Sequence, residues 1–273
     1  MEKQVIKNDH PWALISGGSR GIGYAIAAAL AKRNFNLVLI ARNEEALINA
    51  KNKLESDFFV LVEILVLDVS KENTAAMVAS WCMEKNIPLK MVCNVSGIGG
   101  SADYLTNSLS ESLYMLRLNT EPAVSLIYHL LPLLRKNQPS FILNVSSIAG
   151  FGPLTVKNIY SATKSAMIFF SYSLRYQLQK ENISVSCLCP GPVFTKPSVE
   201  KETIHKLGWL GKHMAVAPDR LGEIAVARTF KKDMIIVPGF LAKTISLIIR
   251  SIPMRWLAYF SSRQSTEQIA RKK

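Results

Sequence analysis

Cysteine is scarce in this chain: four residues in 273, at positions 82, 93, 187 and 189, with no CxxC pair. That spacing argues against a disulfide framework or a thiolate metal site. Cys187 and Cys189 lie two apart in an apolar run, on one face of a predicted strand, and fit reduced, buried, inert thiols. The four histidines, at 10, 129, 205 and 213, lack ligand spacing, so no metal is expected. No run of about 18 apolar residues exists, which argues against a membrane-spanning helix. Met1 to His10 is polar and lacks the apolar centre of a signal peptide. There is no Pro/Gly/Ser-rich linker, low-complexity tract or repeat, so residues 1–273 read as a single domain, with a cytoplasmic location expected. Acidic residues are the last shortage: 20 against 33 Lys and Arg, a formal net charge of +13. From Arg250 onward six basic residues face Glu267 alone, +5 over the final 24 positions. Anionic partners suit that surface: a phosphorylated cofactor, an acidic carrier protein or an anionic membrane. Nucleic acid is not expected, because no recognised binding motif accompanies the charge.

What is present is alternation. Apolar, strand-like runs at 12–16, 36–41, 60–67, 89–94, 141–146, 183–189 and 234–237 are separated by helical patterns. Those patterns start near Gly21, Asn43, Lys71, Ser110, Val156 and Pro218. Such order predicts an α/β fold: a doubly wound, Rossmann-type parallel sheet of about seven strands, flanked by helices on both faces. Ligands of such sheets sit over the C-terminal strand ends. Pro122 and Pro132 predict a kink or break in the helix over 110–136.

Four motifs fall at those strand ends. Tyr160-Ser161-Ala162-Thr163-Lys164 places a phenol and an ammonium one helical turn apart. A neighbouring ammonium favours the phenolate and is expected to lower the phenol's pKa from about 10. The pair is then suited to proton exchange with a carbonyl/alcohol couple. On spacing alone, such a pair is more often a solvated helix face. Ser16-Gly17-Gly18-Ser19-Arg20-Gly21-Ile22-Gly23 links a strand to a helix, the context in which backbone N–H groups hold a pyrophosphate. Asn144-Val145-Ser146-Ser147 ends another run, with Ser147 thirteen residues before Tyr160. Cys189-Pro190-Gly191-Pro192-Val193-Phe194-Thr195 ends the run from Ile183.

With these motifs in this order, the chain resembles the single-domain short-chain dehydrogenases/reductases over about residues 10 to 240. The family's TGxxxGIG is matched by Ser16 to Gly23 with Ser for Thr, and its aspartate–hydrophobe pair by Asp68-Val69. NNAG is matched in part by Asn94-Val95-Ser96-Gly97, and PGxVxT in full by Pro190 to Thr195. The resemblance implies a catalytic set of Asn119, Ser147, Tyr160 and Lys164. Tyr160 would be the proton donor, Lys164 would tune it and hold a ribose, and Ser147 would bind the carbonyl oxygen. Asn119 would position a water linking Lys164 to solvent. It further implies cofactor contacts from Gly17, Ser19, Arg20, Gly21, Ile22 and Gly23, from Asp68 and Val69 at the adenine, and from Asn94. Pro190, Gly191, Val193 and Thr195 would lie at the carboxamide. Val95 and Ser96 depart from the family's Asn-Ala and bring the side-chain role of Asn94 into question.

The second strand separates NAD from NADP. An acid at its end would accept from a ribose 2′-OH and repel a 2′-phosphate. Here Ala41 holds that position, Arg42 follows, and Arg20 lies in the glycine turn. Two guanidiniums and no acid predict NADP(H). The function expected is NADP(H)-dependent hydride transfer between nicotinamide and an apolar ketone or secondary alcohol, 3-oxoacyl or steroid-like. A non-catalytic NADP-binding regulatory or scaffold protein is the alternative. A nucleotide-sugar epimerase or dehydratase would carry GxxGxxG rather than the spacing at Gly17, Gly21 and Gly23.

Residues 196–217 lack a clean period and read as a substrate lid or an ordinary surface loop. Residues 240–273 form an apolar, basic extension. Lys243, Arg250, Pro253 and Arg255 argue against spanning, and two amphipathic helices meeting near Pro253 fit better. Met234 to Gly239 followed by such a tail resembles the branch holding bacterial DltE-like proteins and 3-ketoacyl or steroid reductases. The tail is expected to pack partly on the domain beside the substrate, with peripheral contact to an anionic membrane as the second reading. A homodimer or homotetramer is expected through the helices over 110–135 and 156–180. Ile127, Leu130, Leu131, Met167, Phe169, Phe170 and Leu174 give them more than one apolar face.

Overall fold

In the computed structural model of this chain, residues 10–99, 104, 107–194 and 213–270 are described, the last seven as helical backbone only. Strands and helices alternate: β1 (Trp12–Ser16), α1 (Gly21–Ala31), β2 (Asn36–Ala41), α2 (Glu44–Phe58), β3 (Val62–Val66), α3 (Thr74–Glu84), β4 (Leu89–Asn94), α4 (Leu109–Lys136), β5 (Ser140–Val145), α5 (Asn158–Leu178), β6 (Ile183–Leu188), α6 (Pro218–Phe230), β7 (Ile235–Ile236), α7 (Phe240–Ser251) and α8 (Met254–Ala270). The seven strands form one sheet in the order β3-β2-β1-β4-β5-β6-β7, and every pairing is parallel. The order reverses between β1 and β4, which opens the crevice where such sheets take ligands. This is the Rossmann-type architecture expected from the alternation.

Period-two alternation explains how both faces are covered. Trp12 and Leu14 of β1 join Val38, Ile40, Leu89 and Val92 beneath Val78 and Cys82 of α3 and Leu126 and Leu130 of α4. Ala13 and Ile15 point the other way, joining Leu37, Leu39, Met91 and Cys93 beneath Ile26 and Leu30 of α1, Leu54 of α2 and Leu221 of α6. Each fully buried Leu or Ile contributes about 1.5–3 kcal/mol. The central strands are therefore apolar on both sides, which is why β1 and β2 read as unbroken runs and β4 as one interrupted only by Lys90.

Elsewhere the expectations need correction. The edge strands β3 and β7 are shorter than the runs around them, since each pairs on one side only. α3 starts at Thr74 rather than near Lys71. Asp68 Oδ1 accepts from Ser70 N (3.0 Å) and Ser70 Oγ (2.7 Å), and Asn73 takes φ 62°, a turn that delays the helix. α4 runs as one 28-residue helix through Pro122 and Pro132, so neither proline breaks it. A capping box starts it, with Glu111 N donating to Ser108 Oγ and Ser108 N to the Glu111 carboxylate. Buried Leu118, Leu126, Ile127, Leu130 and Leu134 anchor both sides of each proline, outweighing the lost ladder bonds.

The side chains named for subunit contact are also mostly core. Ile127, Leu130 and Met167 are buried, and Leu131, Phe170 and Leu174 pack against the core. Phe169 alone of that set faces outward. The outer apolar residues of α4 and α5 are Phe169 together with Leu109, Leu113, Leu116, Val124, Tyr128 and Tyr176.

Candidate active site

The glycine turn is built by contact. Gly17 takes φ +74°, and its N–H donates to Ile40 O at 2.7 Å, tying the turn to β2. A Cβ on Gly23 would lie 2.0 Å from Gly17 O, so no side chain fits where α1 meets the turn. Arg20 stands at the N-cap of α1 with no side-chain capping bond and is exposed. Ser16 Oγ accepts from Val95 N (3.2 Å) and Ser96 N (3.3 Å). The strands β1 and β4 are thus braced through main chain, which leaves positions 95 and 96 free to depart from Asn-Ala. Asn94 braces on the other side: its Nδ2 donates to Asn144 Oδ1 (2.8 Å), whose Nδ2 donates to Ser171 Oγ (2.9 Å) on α5.

Four polar side chains gather over the ends of β4, β5 and β6. Tyr160 and Lys164 lie on the first turns of α5, with Lys164 Nζ 5.8 Å from the Tyr160 ring centroid. Lys164 is buried, and its Nζ donates to Val145 O at 3.1 Å. Ser147 opens the 3-10 turn Ile148–Phe151, its Oγ accepting from Ala149 N at 3.2 Å and donating to Pro190 O at 3.5 Å. Asn119, buried on α4, accepts from Ile98 N (2.8 Å) and donates to Ile98 O (3.0 Å) and Thr163 Oγ1 (3.1 Å). A Cβ on Gly97 would stand 3.0 Å from Asn119 Oδ1 and 3.6 Å from Lys164 Nζ, so the glycine keeps a gap between them.

The electrostatics overturn one expectation. Burial raises the Tyr160 pKa above the ordinary phenol value; the Ser147 hydrogen bond opposes this, and the Cys189 thiol adds to it. Lys164 does not bring it down as the helical spacing predicted. Burial pushes Lys164 itself down to about 8. An ammonium that is desolvated with the phenol helps the phenolate less than burial penalises it.

A family model described as short chain dehydrogenase matches residues 11–204. The chain belongs to the short-chain dehydrogenase family. It is 27% identical over 251 residues to the very-long-chain 3-oxoacyl-CoA reductase of Mus musculus, covering 88% of this chain and 72% of that protein. It is 28% identical over 208 residues to the inactive hydroxysteroid dehydrogenase-like protein 1 of Homo sapiens, covering 76% of this chain and 63% of that protein, so it spans less than two thirds of the human relative. Among solved structures, L-sorbose reductase from Gluconobacter frateurii, complexed with NADPH and L-sorbose, superposes with a TM-score of 0.76 at 25% identity, covering 84% of this chain and 95% of that one. Short-chain dehydrogenases are oxidoreductases of ketones and alcohols that use NAD(P)H.

The glycine cradle of this short-chain dehydrogenase fits a dinucleotide, since it leaves backbone bare at the N-terminus of α1. Around it stand the other candidates. Arg42 follows β2; its Nη1 donates to Tyr114 Oη at 2.8 Å and lies 4.0 Å from Asp68 Oδ2. Burial pushes the Asp68 pKa up, but the Ser70 hydrogen bonds, then Arg42 and Lys71, carry it below the usual value. Pro190, Gly191 and Val193 follow β6, and Ile148 N donates to Pro190 O at 3.1 Å. Thr195 lies outside the described residues, as does most of the expected lid, whose described part is 213–217.

Sequence reasoning missed the supporting polar groups. Ser146 Oγ donates to Lys164 O (2.7 Å), Ser165 Oγ to Gly150 O (2.7 Å), and Thr163 Oγ1 accepts from Asn119. Asn144, Ser146 and Thr163 all stood inside the quoted motifs, which was the available signal. Tyr114 had none beyond its place five residues before Asn119.

Proposed function

We propose that this chain is an NADP(H)-dependent carbonyl reductase acting on an apolar ketone, of 3-oxoacyl or steroid-like type. The observation that carries the reading is the gathering of Asn119, Ser147, Tyr160 and Lys164 beside the glycine cradle. A bound reduced nicotinamide supplies the hydride for the carbonyl carbon. Tyr160 gives its hydroxyl proton to the carbonyl oxygen, and Ser147 donates a hydrogen bond to that oxygen as charge develops on it. The Tyr160 phenol is protonated at neutral pH, as an ordinary phenol is, and so holds the proton this direction needs. Lys164 has spent one of three donors on Val145 O and offers the others to a ribose. Asn119 positions a water that links Lys164 to solvent across the gap at Gly97. Gly17, Ser19, Gly21, Ile22 and Gly23 hold the pyrophosphate, Asp68 and Val69 the adenine, and Pro190, Gly191, Val193 and Thr195 the carboxamide. Asn94 braces this end of the sheet. Arg20 and Arg42 bind the 2′-phosphate, with Ala41 offering no repulsion.

The mouse and human relatives' names, and the apolar tail beside the Ser147 turn, support an apolar substrate. Free, buried thiols suit a reducing compartment such as the cytoplasm. The outward apolar residues of α4 and α5 support a homodimer or homotetramer built on those helices, to be checked by light scattering.

The human relative's name, inactive, favours a second reading: a protein that binds NADP without turning over a ketone. Steady-state kinetics separates the two. The reductase oxidises NADPH in the presence of long-chain 3-oxoacyl or steroid ketones. Tight NADPH binding with no turnover across a broad ketone panel establishes the second reading.

A further inference from the structure

Between residues 240 and 263 there is no Asp or Glu, while Lys243, Arg250, Arg255 and Arg263 supply four cations. α7 already satisfies the core with one face: Ala242 and Ser246 are buried, and Ile249 packs on the cluster around Phe151. Its opposite face still carries Phe240, 87% exposed, with Leu247 and Ile248 seven and eight residues on, also exposed. α8 adds exposed Met254, Trp256, Tyr259 and Phe260. Trp256 stacks on Phe260 at 6.3 Å, and Tyr259 meets Phe260 edge-on at 5.8 Å. The Arg255 guanidinium lies 5.8 Å from the Trp256 ring, and that of Arg263 5.2 Å from Tyr259.

We propose that the outer faces of α7 and α8 dock on an anionic lipid bilayer and that the ketone reaches Tyr160 from that surface. Large apolar side chains enter the acyl boundary, Trp and Tyr settle at headgroup depth, and Arg and Lys stems extend to phosphate. Charge selects this occupant over a second copy of the chain. Pairing the face with itself would bring the four cations of each copy together with no acid between residues 240 and 263 to neutralise them. Each cation held near an anionic surface strengthens binding by about fivefold.

The same helices grip the segment leading from Ser147 to Tyr160. A Cβ on Gly152 would lie 2.9 Å from Leu257 Cδ1 and 3.3 Å from Ile249 Cγ2. Thr155 N donates to Ser261 Oγ at 2.8 Å, and the Arg250 guanidinium stands 5.5 Å over the Phe151 ring. A bilayer on the outer face is therefore one helix layer, about 10 Å, from the Ser147 turn. The delivery clause rests on the reductase reading; the docking clause does not.

Flotation of the full chain with vesicles tests the docking. Binding to mixed phosphatidylcholine and phosphatidylglycerol vesicles at low salt, little binding to phosphatidylcholine alone, and release at high salt are expected. Trp256→Glu with Phe260→Glu should weaken binding at least tenfold, and Arg255→Gln with Arg263→Gln about as much. No flotation, variants that float like the wild type, or a dimer made monomeric by Phe260→Glu would overturn it. For delivery, the Trp256/Phe260 variant should lose most turnover of a long-chain ketone dissolved in those vesicles and keep turnover of a short water-soluble ketone. Equal loss on both overturns delivery. Flotation with no turnover of either ketone by the wild type overturns the reductase reading and leaves docking standing.

Discussion

The nucleotide end of the sheet and the α7–α8 tail are both rich in large apolar residues, and they use them in opposite ways. Around the glycine turn Ile15, Ile26, Leu30, Leu37 and Leu39 have no exposed surface. In the tail Phe240, Met254 and Phe260 each expose more than half of theirs. Burial at the first region fixes backbone that must approach a dinucleotide closely. In the second, the inner face holds the helices on the domain and leaves the outer face exposed. Apolar content alone therefore does not distinguish a core from a docking surface; what each side chain touches does.

Substitutions can break or sharpen that contrast. Truncating a buried residue of the first region should have the largest effect: Leu30→Ala should cost about 2–5 kcal/mol in urea unfolding. Phe240→Ala in the tail should stay within about 0.5 kcal/mol. Equal losses would show that the outer tail belongs to the core. At the cofactor, Arg42→Asp should weaken NADPH by about 2–4 kcal/mol through a lost charge-assisted pair and new repulsion. NADH affinity should barely change, as titration by fluorescence would reveal. Equal affinity of the wild type for both cofactors would remove the role given to Arg20 and Arg42.

The buried Lys164 gives a stability test with a defined sign. Its folded pKa of about 8 lies below the ordinary 10.5, so folding disfavours the ammonium. Its contribution is therefore most favourable above pH 10.5 and is lost as pH falls toward 8. At neutral pH the penalty is present in full. Lys164→Met should stabilise the cofactor-free protein by about 1–3 kcal/mol at pH 7, after loss of the bond to Val145 O, and by less at pH 10. It should also weaken cofactor binding. Destabilisation at pH 7 would mean that the ammonium is better solvated or paired than its burial indicates.

The strands β1, β2 and β4 were legible to the residue because double-sided burial leaves only Lys90 of β4 as a polar interruption inside them. The turn from Asp68 to Thr74 was not legible, since its hydrogen bonds arise only once β3 has ended. The helix α4 continues through Pro122 and Pro132 because its packing against the sheet outweighs the local bonds the prolines remove. Tyr160 and Lys164 were legible through their one-turn spacing, Asn119 and Ser147 through the family resemblance. Their braces were not: Ser16, Asn144 and Thr163 are ordinary polar residues whose partners lie about 30 to 80 positions away. The pKa of Tyr160 was misjudged for the same reason. Helical spacing shows the neighbouring ammonium but not the desolvation that both groups share.

The most direct measurement is transfer of deuterium from C4-deuterated NADPH to a long-chain 3-oxoacyl or steroid ketone in a single turnover, comparing the wild type with Tyr160→Phe. The wild type should place the label on the carbinol carbon. Tyr160→Phe should bind NADPH about as tightly and transfer the label about 10²–10⁴ times more slowly. A Tyr160→Phe protein retaining more than about a tenth of the wild-type rate would contradict proton donation by Tyr160. A wild type that binds NADPH and labels no ketone would contradict the reductase itself.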